Sequence, residues 1–128
     1  MDSTDKGRID KLIPLAYTVI NEKGIAQGGA VKKTWVGQVS SFGAAITMGS
    51  LQSAVAFFSN PSKGDVDRTL LLKAIGVLLE KGLGYKPVVW EDISSAGPTI
   101  QRDVMNCAIA LKLAMNFYRL DTSDDDQQ

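Results

Sequence analysis

Residues 31–60 read VKKTWVGQVSSFGAAITMGSLQSAVAFFSN. Val31, Trp35, Val39, Phe42 and Ile46 step by four, four, three and four, which lines one face of an α-helix. Lys32, Lys33, Ser40 and Ser41 fall off that stripe. Gly37 and Gly43 inside it predict a close helix–helix approach or a bend. Gly49 ends the pattern as a left-handed cap, and Ser50 is placed to cap the next helix. That helix, residues 51–59, carries Leu51, Ala54, Val55, Phe57 and Phe58 and almost no polar face, so it is expected at the centre of the molecule.

Helical spacing continues on both sides. Ile9, Leu12, Ile13, Ala16, Tyr17 and Ile20 predict a helix over residues 9–22, with Pro14 in its first turn or at a kink. Residues 24–29, GIAQGG, read as a loop. After a turn at 60–64, Asp65 or Asp67 caps a helix over 67–81 with Leu71, Ile75 and Leu78 in its core stripe. Residues 82–98 are punctuated by Gly82, Gly84, Pro87, Gly97 and Pro98 and read as loop, with room for one helical turn at 91–95. A last helix starts at Ser95 or Thr99 and runs to Leu120. Its Val104, Cys107, Ala108, Leu111, Met115 and Tyr118 share a face that Met105, Ile109, Leu113 and Phe117 widen, so it should be covered on most sides. The expected fold is all-α, a compact bundle of about five helices in one domain over residues 1–120, with a disordered acidic tail at 121–128.

The chain has 128 residues and 45% apolar composition, enough for one packed core. It has no histidine, which removes the commonest general base and metal ligand together. Its one cysteine, Cys107, allows no internal disulfide and no multi-cysteine zinc site. In the most apolar helix, Cys107 is expected as a buried core residue and not a nucleophile. Glu91 and Asp92 are sequence neighbours, which does not aim their oxygens at one metal. No phosphate-loop spacing is present. These features predict a protein that is not an enzyme and needs no cofactor or metal. No apolar run reaches the ~20 residues of a membrane span. The polar N-terminus and single thiol lead us to expect a cytoplasmic protein.

The formal charge is zero, from 14 basic and 14 acidic residues. Four of the acids (Asp121, Asp124, Asp125 and Asp126) lie in the tail, which holds no basic residue. The remainder therefore has 14 basic residues against 10 acidic, or +4. Lys32, Lys33, Lys63, Arg68, Lys73, Lys112 and Arg119 are the candidate RNA-contacting residues. A few such groups on one face suffice for non-specific contact with a phosphate backbone. No RNA-recognition or KH motif is present to read sequence. The competing reading is a helical protein–protein adaptor that binds through exposed Trp90 or Trp35.

The segment FGAAITMGSLQSAVAFF, residues 42–58, resembles the signature of the small α-helical subunit of the Cmr complex, the type III-B CRISPR RNA-guided effector. In that family a Leu-Pro-x-x-Ile-type helix end meets an Asn-Gly-Leu break, and a helix with Thr-Leu-Ala-Phe follows. Phe42 and Ile46 take the leucine and isoleucine positions, Leu51 follows the break, and Ala56-Phe57 match the Ala-Phe pair. Gly43 replaces the usual proline, the break glycine is shifted by one, and Ser40 and Ser41 stand where lysines are frequent. The resemblance implies a non-catalytic subunit in antiviral defence. It would stack on copies of itself and on other Cmr subunits along the filament, and help hold guide RNA and target RNA. The motif is structural, so it transfers no binding residue.

Overall fold

The structure, a computed structural model, describes residues 5–60, 66–95 and 97–122. Five α-helices form the bundle: α1 (Asp5–Glu22), α2 (Lys33–Met48), α3 (Leu51–Ser59), α4 (Thr69–Val77) and α5 (Pro98–Met115). The all-α bundle expected from the periodicity is therefore present, with a small sheet added to it. Strands β1 (Ala26–Gln27), β2 (Ala30–Lys32) and β3 (Arg119–Asp121) lie in the order β1-β2-β3.

The apolar stripes meet in one core. Trp35, Val39, Phe42 and Ile46 are the buried residues of α2. Phe42 packs edge-on against Phe58 of α3, with ring centroids 5.2 Å apart. The most extensive helix pair is α1 with α5. Asp5 meets Asn106 at one end and Tyr17 meets Phe117 and Tyr118 at the other, so the two helices run in the same direction. Pro14 lies inside α1, a helix that begins earlier than its apolar pattern.

The α2–α3 junction is capped on one side as the sequence predicts. Ser53 donates its backbone N–H to Ser50 Oγ at 3.0 Å, and Ser50 N–H donates to Ser53 Oγ at 3.1 Å. Gly49 is not left-handed: its φ is −124°, and its N–H donates to the Ala45 carbonyl at 2.9 Å. Gly43 makes only ordinary contact with Met105, and an added Cβ at Gly37 would meet open space, so neither marks a close helix approach. At α4, Asp67 Oδ1 accepts from the Thr69 backbone N–H at 3.0 Å and from the Thr69 hydroxyl at 2.6 Å. Asp65, the alternative cap, lies outside the described residues.

Three segments differ from the sequence reading. The expected loop at 24–29 holds the first strand and the turn of a hairpin over residues 26–32, with Gly28 and Gly29 at φ 61° and 76°. Two central residues of positive φ match the twist of paired strands, and glycine adopts them without a Cβ penalty. Helix α4 widens into a π-helical turn over Leu78–Gly82 before ending, and the helical turn expected at 91–95 is present as a 3-10 helix over Trp90–Ser95. The last helix stops at Met115, not at Leu120. After a turn at Asn116 and Phe117 the chain becomes β3, which pairs parallel to β2: Ala30 with Arg119, Val31 with Leu120, Lys32 with Asp121. Asp121, read as the first tail residue, is therefore a strand residue. The other three tail aspartates lie outside the described residues.

Candidate nucleic-acid interface

The seven basic residues singled out above fall in separate places. Lys63 lies outside the described residues. Lys32 ends β2 and shares the lining of a cavity of about 330 Å3 with Asp67, Asp121, Gln27 and Trp35. Its surroundings are of mixed sign. Arg119 is exposed on the neighbouring strand, opposite Ala30. Lys33 opens α2 and is exposed. Seven residues on, Ser40 lies on the same side of that helix, and it accepts a hydrogen bond from Lys112 Nζ of α5 at 2.8 Å. Lys33 and Lys112 thus edge one α2–α5 face.

Arg68 and Lys73 belong to the other side of the fold, where α3 meets α4. The Arg68 guanidinium lies over the Phe57 ring, 4.1 Å from its centroid, and 5.9 Å from that of Phe58. Its Nε donates to the Asn60 carbonyl at 2.8 Å. Lys73 is exposed about one and a half turns onward in α4. The hydrogen bond from the Thr69 side chain holds the Asp67 carboxyl below its usual range, and the nearby Lys73 charge adds to this.

The sign of the charge is more ordered than its position. Helices α2, α3 and α4 together contain two lysines, Lys33 and Lys73, and no acidic residue. In α5 the single acid, Asp103, is buried and ion-paired. A phosphate chain laid over these helices would meet no exposed carboxylate within them; exposed Asp67 stands two residues before α4, near Lys73.

Residues expected in the core are partly outside it. Phe57 is 55% exposed because α3 buries only Leu51, Ala54, Val55 and Phe58. Ile109, Leu113 and Phe117, four residues apart, are 39%, 40% and 70% exposed. With half-buried Met105 they form an open apolar stripe along α5, and Tyr17 of α1 extends it. Trp35, by contrast, is 3% exposed and cannot be a docking residue without unpacking the core. Trp90 is half-buried.

Two groups in the interior are titratable. Cys107 is fully buried, and burial, with the Asp103 charge, pushes its thiol up to about 12. It is an inert thiol near neutral pH. Asp103 takes a hydrogen bond from Arg8 Nη1 at 2.6 Å and from the Tyr85 hydroxyl at 2.5 Å. The sequence signal for this cluster is an aspartate one turn before Cys107 on the core side of α5. Among the described residues, no group of three or more Cys, Asp or Glu side chains is arranged to hold a metal ion. No helix there is long and apolar enough to cross a membrane.

No family model matches the chain, no curated protein matches it, and no solved structure matches its fold.

Proposed function

We propose that this protein is a non-catalytic small subunit of a type III-B CRISPR ribonucleoprotein. In this reading it acts in the cytoplasm and helps hold guide RNA and target RNA by contacts to the phosphate backbone. The observation that carries the RNA contact is the single sign of charge on α2, α3 and α4. The resemblance of residues 42–58 supplies the assembly. The open stripe from Met105 to Phe117 offers a surface for neighbouring subunits, since exposed apolar patches of this kind mark protein contacts.

Charge reversal tests it in the assembled complex. The double variants K33E/K112E and R68E/K73E should each lower target-RNA affinity, and each should flatten its salt dependence by roughly one to two counterions. Lys32 is the less informative choice because Asp67 and Asp121 share its cavity. Unchanged affinity in both double variants sinks the RNA role.

The exposed stripe on α5 also favours a second reading, a protein–protein adaptor with no RNA contact. Partner binding through that stripe would be nearly insensitive to salt, whereas RNA binding weakens steeply as salt rises.

A further inference from the structure

Phe57 and Arg68 stand out from the other exposed groups. An aromatic ring left 55% exposed on an apolar helix carries a guanidinium 4.1 Å above its centroid. That guanidinium is fixed twice, by the ring and by its Nε hydrogen bond to the Asn60 carbonyl at 2.8 Å. Neither contact neutralises its charge. The ordering cost of a long side chain is therefore already met before any ligand arrives.

A guanidinium held in this way has two unequal offers. Its Nη groups donate in the plane of the group, the geometry that suits phosphate oxygens. A guanidinium carried over a ring can extend that ring's stacking surface, the arrangement on which unpaired bases settle. Exposed Lys73 lies five residues on, about 140° around α4 from Arg68, and its near charge is Asp67. A base in a duplex has both faces covered by its neighbours, so only an unpaired nucleotide could use the stack.

We infer that the α3–α4 corner built from Phe57 and Arg68 binds an unpaired nucleotide of single-stranded RNA, with its base stacked on the Arg68–Phe57 pair and its phosphate on the guanidinium edge. This rests on the RNA-binding reading above and adds a requirement for a free base.

The test uses the full chain with two fluorescein-labelled probes, a single-stranded oligoadenylate and an RNA duplex of the same length, followed by anisotropy at low salt. Phe57→Leu removes the aromatic face, and Arg68→Lys keeps the charge but removes the planar one. Each should weaken single-strand binding about 10-fold, the scale of one lost stack, and leave duplex binding within about twofold. Thermal melting by circular dichroism checks folding, and the exposed Phe57→Leu site keeps one variant free of core damage. Equal loss on both probes, or no loss on the single strand, overturns the stacking site and leaves the phosphate contacts standing. Failure of the unaltered chain to bind either probe overturns the site, whereas the RNA role in the assembled complex falls only with the charge-reversal variants above.

Discussion

Among the described residues, Asp103 is the charged side chain most completely buried. Its carboxylate is 2% exposed and joins three segments: Arg8 of α1, Tyr85 after the π-helical turn, and its own helix α5. Burying a carboxylate is tolerated only when a partner charge and hydrogen bonds replace its water. Burial and the hydrogen bond to Asp103 push the Tyr85 hydroxyl up to about 12, so it stays the donor. Asp103→Asn keeps the shape and removes the charge. It should destabilise the fold by about 2–3 kcal/mol in urea denaturation, part of it from leaving the Arg8 guanidinium unpaired. A loss below about 0.5 kcal/mol would show that the cluster is worth little. The apolar spacing of α5 made the neighbours of Asp103 legible, but not its own role. Its ion pair spans 95 positions of sequence, and no local pattern encodes such a partner.

At the scale of elements, the π-helical turn and the end of α5 carry the lesson. An ideal Cβ on Gly82 would lie 2.4 Å from Leu12 Cδ2, so the Leu12 side chain, 1% exposed, would have to shift within the core. Gly82 thus leaves room for Leu12 where the widened turn meets α1. Gly82→Ala should cost about 1–3 kcal/mol through overpacking, read as a lowered thermal midpoint. Gly37→Ala, in the same assay, should raise the midpoint, because α2 has open space there and alanine favours helix by up to ~1 kcal/mol. Gly37 interrupts a helical pattern and Gly82 follows one, and only the packing shows which has room for a Cβ. The end of α5 follows the same logic. Helical spacing continues to Tyr118, yet the free side of β2 offers backbone partners to residues 119–121, and the chain takes them. The Tyr118 ring then stacks on Tyr17 at 4.5 Å, and its hydroxyl donates to the Tyr17 carbonyl at 2.7 Å.

For the whole molecule, the interior protons set an upper pH limit. Cys107 and Tyr85 have ordinary values of 9.0 and 10.0 and are both pushed up to about 12 in the fold. Below pH 9 both states keep these protons and stability does not depend on them. Between about 9 and 12 the unfolded chain loses them first, so folding stability must fall as pH rises. Cys107→Ala should flatten the first part of that fall, from pH 9 to 10, in equilibrium unfolding measured at several pH values. An identical slope in the variant would show that the thiol is not held neutral by the core.

The sequence by itself determined the helical class, the buried stripe of α2, the Ser50 cap and the buried thiol, because each depends on neighbours within a few residues. The +4 body was also legible, since charge can be counted without a fold. Tertiary structure alone decided which apolar side chains remain outside. Phe57 and Phe117 repeat at helical spacing like their buried neighbours, and a surplus of apolar faces leaves them largely exposed. It also decided where the basic residues meet. Lys112 reaches Ser40, and Arg68 reaches Phe57, across gaps closed only by packing. Pairing of β2 with β3 depends on the bundle in the same way, since a parallel strand pair needs a crossover and here the intervening helices supply it.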